Sequence, residues 1–104
     1  MLFLNHWELN ENMSEQERLQ IVAKLSSLGL FPPQGVTIIR FDCTPDAWGI
    51  LLFEADSAAA AIQMMDVWRM AGAGFFKATK TAPAMPIPEA VALSTSIVEA
   101  LAKA

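Results

Sequence analysis

The 104-residue sequence is poor in the groups that usually announce chemistry, with one cysteine, Cys43, and one histidine, His6. A single cysteine cannot close an intrachain disulfide, and the pair falls short of any structural zinc set within one chain. Charged residues make up only 17%, with no run of Lys or Arg, and eleven acids against seven bases leave a formal net charge of −4. That balance argues against a nucleic-acid partner, which calls for clustered cations opposite phosphates. Long apolar runs are missing too. The longest, residues 47–53, is far below the ~20 residues that cross a bilayer, and Pro83, Pro86 and Pro88 cut the later apolar stretch. Residues 1–9 lack a basic leader and carry Asn5, His6 and Glu8 where a signal peptide would be apolar, so a cytoplasmic protein with no membrane association is expected. Phosphate loops, serine elbows and zinc-helix motifs are absent.

What the chain does have is hydrophobic surface, at 54% of residues. At this length folding hides only about 65% of the unfolded chain's surface. One small core cannot absorb that much apolar area, which points to a single packed domain that associates.

The apolar pattern divides the chain into alternating elements. Residues 2–9 read as a strand closed by Asn10-Glu11-Asn12. Ser14-Glu15-Gln16-Glu17 has the form of a capping box and opens a helix whose stripe is Ile21, Leu25 and Leu28, widened by Leu19 and Val22 and ended by Gly29. Two apolar runs, 36–41 and 47–53, flank the turn-forming Pro45-Asp46 and make a hairpin. Asp56 or Ser57 caps a second helix, 58–71, with Ala58, Ala61, Ile62, Met65 and Trp68 toward the core. Residues 75–82 form a fourth strand, and Pro88 opens a terminal helix with Leu93, Ile97 and Leu101 on one face. The order βαββαβ predicts an α+β, ferredoxin-like domain over residues 1–83 with a four-stranded antiparallel sheet, followed by a proline-rich linker and helix over 84–104. Strand alternation sets Val36 and Ile38 against Ile39 and Phe41, and Trp48, Ile50 and Leu52 against Leu51 and Phe53, so both sheet faces are apolar and both need cover.

The start Met1-Leu2-Phe3, Gly35 before the second strand, Phe53-Glu54-Ala55-Asp56 leaving the third, Trp68 and Phe76 carry a likeness. Through them residues 1–83 resemble an uncharacterised bacterial family of the dimeric α+β barrels, a superfamily that includes stress-response barrel domains and antibiotic-biosynthesis monooxygenases. The resemblance implies a ferredoxin-like fold and a homodimer that closes a dimeric α/β barrel, and it carries over no catalytic residue. The helix after Pro88 lies outside the minimal barrel.

Candidate chemistry is sparse. His6 shares a strand face with Glu8, a pattern that suits a general base with an orienting carboxylate or a metal half-site completed by a second copy, and more ordinarily a histidine satisfied by a neighbouring hydroxyl, carbonyl or carboxylate. Asn5 and Trp48 resemble residues of haem-degrading monooxygenases, but the axial histidine this implies on the second helix is missing, so no haem, other cofactor or metal is expected. Asn5 and His6 are sequence neighbours and cannot face one cavity from a regular strand. Arg40, expected to be buried, pairs with Asp42 or another acid, or offers its fork to an anionic ligand. Met64, Met65, Met70 and Met85 with Trp68 fit an adaptable pocket or plain core.

The leading expectation is therefore a homodimer that binds a small apolar or anionic molecule between its sheets, lined by Asn5, His6, Glu8, Arg40 and Trp48. The rivals are a cofactor-free monooxygenase or isomerase with His6 as base, and a non-catalytic interaction module whose terminal helix mediates assembly.

Overall fold

Helices begin where a side chain can replace the missing partner of a first-turn amide. The Ser14 hydroxyl accepts from Glu17 N–H at 3.1 Å and donates to Glu17 Oε1 at 3.2 Å, opening α1, Glu15–Ser27. Of the two expected caps for α2, Ala58–Ala71, it is Ser57 that acts, accepting from Ala60 N–H at 3.1 Å. The last helix, α3 (Ile87–Ala102), has no capping hydroxyl and relies on Pro88 in its first turn. In the computed structural model, which describes residues 1–104, these helices alternate with β1 (Leu2–Leu9), β2 (Val36–Cys43), β3 (Trp48–Ala55) and β4 (Phe76–Pro83).

The four strands form one antiparallel sheet in the order β2-β3-β1-β4, the ferredoxin-like arrangement with α3 appended. Along β1, Phe3, Asn5, Trp7 and Leu9 point toward the helices, while Leu2, Leu4, His6 and Glu8 point away. The main core joins Trp7, Leu51, Phe53 and Ala55 to Ala60, Ala61 and Met64 of α2. A second cluster joins Leu25 of α1 to Trp68 and Phe75.

Three details depart from the expected pattern. First, β2 bulges between Ile38 and Arg40: Ile38 pairs with Phe53, but Arg40 pairs with Leu52 and Phe41 with Leu51. The extra residue reverses the alternation, so Phe41 joins Val36 and Ile38 on the helix side and only Ile39 is displaced. Second, α2 approaches the sheet through a narrow face of Ala60, Ala61, Met64, Met65 and Trp68, which leaves Ala58 and Ile62 exposed. Met64 and Met65 are plain core, whereas Met70 and Met85 are exposed. Third, Leu25 is the only residue of α1 that is fully buried; Leu19 and Leu28 are exposed because α1 lies along α2 and stands off the sheet.

Nothing in α3 is buried. The side of the sheet away from α1 and α2 is also uncovered, with Leu4 and Trp48 among its exposed apolar residues. Within one chain, neither surface is covered.

Candidate functional site: an aromatic pocket beneath the first helix

Of the five residues singled out in the sequence, His6, Glu8, Arg40 and Trp48 share the uncovered sheet face, and Asn5 lies on the other. The His6 and Trp48 rings are 5.5 Å apart and tilted by 34°. No hydrogen bond or ion pair joins His6 to Glu8. Arg40 is exposed rather than buried, and its Nε donates to Asp42 Oδ2 at 2.8 Å, the intrachain pairing anticipated for it. With both side chains in solvent, that pair adds about 1 kcal/mol at most. Asn5 is fully buried: its Nδ2 donates to Thr81 Oγ1 at 2.8 Å and to Lys80 O at 3.2 Å, while Oδ1 has no partner. No group of three or more His, Cys, Asp or Glu side chains is placed to hold a metal.

A half-open, aromatic-lined cleft lies on the helix side, where the sequence offers Trp68 as pocket or plain core. Its walls come from every element except β3 and α3, and it holds about 350 Å³, within the range of small-molecule sites. Six aromatic rings line it: Trp7, Phe31, Phe41, Trp68, Phe75 and Phe76. They touch in a continuous chain, Trp7 on Phe41 at 5.9 Å and 84°, Phe41 on Phe31 at 5.7 Å, Phe31 on Trp68 at 5.0 Å and 70°, and Trp68 on Phe75 at 4.8 Å. The Trp7–Phe41 and Phe31–Trp68 contacts are edge-to-face and the other two are tilted, both favourable ring arrangements.

Local sequence explains the gap. Trp7 is the cross-strand partner of Gly49, and its ring occupies the space that a side chain would fill; a Cβ there would collide with the Asp42 carbonyl oxygen and the indole. Opposite, α1 supplies Leu19 and Val22 at the rim and Leu25 deeper in. Arg18 fixes the start of this helix: Nη1 donates to Asn10 O at 3.0 Å and Met13 O at 2.8 Å, and Nη2 to Glu15 Oε2 at 2.8 Å. The exposed Cys43 thiol belongs to the same lining.

One polar group in this wall has nothing to bond. The Trp7 indole N–H is buried without an acceptor. Such a donor costs on the order of 1–3 kcal/mol while it stays without a partner.

A family model for a domain of unknown function, DUF3303, matches residues 1–98. The chain belongs to this family. The match covers the whole sheet, the aromatic pocket and most of α3, so the terminal helix is part of the family's pattern. No curated protein matches the chain, and no helix is long and apolar enough to cross a membrane. Sequence reading missed Arg18, Phe31 and Phe75 as site residues. For Phe31 and Phe75 the only signal is an aromatic ring at the end of an element, Arg18 carries none, and the bulge puts Phe41 on the opposite face from the one the alternation predicts.

Proposed function

We propose that this protein binds a small, mainly apolar molecule carrying one hydrogen-bond acceptor, in the pocket beneath α1. The observation that carries this reading is the buried, partnerless Trp7 N–H in a mainly apolar wall whose polar members are Glu15, Arg18 and Ser26. An aromatic or short aliphatic body would stack within the six rings, and a carbonyl, carboxylate or sulfonate oxygen would accept from Trp7 Nε1. This reading keeps the ligand class expected from the sequence and proposes a seat on the helix side of one sheet instead of between two.

The probe for this reading is 1-anilinonaphthalene-8-sulfonate, an aromatic body with an acceptor oxygen. Titration should give one saturable site per chain with quenching of tryptophan emission. Trp7→Phe, which keeps the ring and removes the donor, should weaken binding roughly tenfold, the value of one hydrogen bond. Val22→Trp, which fills the rim, should abolish the site. Binding that ignores both substitutions would sink the proposal.

A further inference from the structure

The structure leaves two apolar surfaces uncovered on one chain, and they match in length. Terminal helix α3 has 16 residues, hence about 24 Å at 1.5 Å per residue. Each strand has 8 residues, hence about 26 Å at 3.3 Å per residue. On α3, Ile87, Val91, Leu93, Ile97, Val98 and Leu101 are 54–74% exposed. At 100° per residue they fall in one arc of roughly 180°, wider than the stripe an ordinary surface helix buries. Glu89, Ser96, Glu99 and Lys103 occupy the remainder. On the sheet, Leu4, Ile50, Leu52 and Trp48 form the middle of the open face, with Arg40, Asp42, His6 and Lys80 around them.

The connection between the two directs α3 away from its own sheet. Ala84 N–H still donates to Leu2 O at 3.0 Å, so the chain keeps the line of β4 past its end. Pro83, Pro86 and Pro88 then stiffen it, and Pro86 is extended at φ −58°, ψ 145°. Strand, three-residue linker and helix laid end to end come to about 26, 10 and 24 Å. Their total accounts for the molecule's longest dimension of 60 Å. A helix held there reaches a second molecule.

We propose that α3 of each copy lies along the open sheet face of a second copy of this chain, making a reciprocal, arm-exchanged homodimer. Each arm has a footprint of about 240 Å², and two arms on two sheets make four such surfaces, near 1,000 Å² in projection. Side-chain relief brings that into the range of a specific, stable interface, about 1,200–2,000 Å². Leu4 and Leu52, at the middle of the face, would receive Ile97 and Val98.

Light scattering of the full chain should give twice the 11.3 kDa monomer mass. The double variant Ile97→Glu/Val98→Glu should scatter as a monomer with unchanged circular dichroism, since no residue of α3 is buried in the single chain. Leu52→Lys on the receiving face should do the same. In a Cys43→Ser background, mixing copies that carry Leu4→Cys with copies that carry Val98→Cys should trap a mixed disulfide pair. A monomeric full chain, a dimer indifferent to charges on α3, disulfides only between two Val98→Cys copies, or an α3-dependent monomer on anionic lipid vesicles would each overturn the proposal.

Discussion

Trp7 and Gly49 face each other across β1 and β3, and the indole fills the volume that any side chain at 49 would claim. The contact is a fixed fit, because the strand carbonyl of Asp42 closes the other side.

Gly49→Ala should therefore act as overpacking in the core. A loss of about 2–3 kcal/mol in denaturant unfolding is expected. Tryptophan emission of the folded variant should shift as the ring is pushed from its seat. A neutral result would mean that the strands part easily at this point.

The buried Asn5 Nδ2 donates to the exposed Thr81 Oγ1 at 2.8 Å. Asn5→Ala and Thr81→Ala should each destabilise. A double-mutant cycle should return a coupling of about 1 kcal/mol, the ordinary net worth of one such bond. Equilibrium unfolding of the four proteins gives the number directly.

Arg18 ties α1 to the loop that precedes it through two carbonyls. Arg18→Met keeps the aliphatic stem and deletes the donors, at a cost of about 1–3 kcal/mol. Amides of α1 should exchange with deuterium faster while those of β1 and β3 do not, since the helix buries only Leu25.

Cys43 lines the aromatic pocket and is exposed. Its reaction with a disulfide reagent should slow several-fold when 1-anilinonaphthalene-8-sulfonate saturates the site, and Val22→Trp should remove that protection. Equal rates with and without the probe would place the bound molecule elsewhere.

The order of elements was legible in the sequence because its punctuation is chemical. Ser14, Ser57, Pro45-Asp46 and Pro88 each solve a backbone problem at the boundary where they stand, and the boundaries follow within a residue or two. The face of a residue was less legible. A strand's side chains alternate with a period of two, so the single extra residue at Ile39 carried Phe41 from the open face to the pocket, and no composition signal marks it. The opposition of Asn5 to His6 needed only that same alternation and emerged correctly. The pocket itself was hidden for a different reason. An amphipathic stripe shows that α1 buries one side, but not how far it stands from what it covers.

The irregularity at Ile39 also bears on how these molecules can meet. The outer strands of the sheet are β2 and β4. The first is broken by its bulge, and the second ends in a proline without an amide hydrogen and carries Lys77 and Lys80. Neither rim gives a stranger an even ladder of hydrogen bonds, so lateral addition of strand to strand is discouraged. Copies of this small, greasy chain are steered away from fibre growth, and their contacts are left to the broad surfaces.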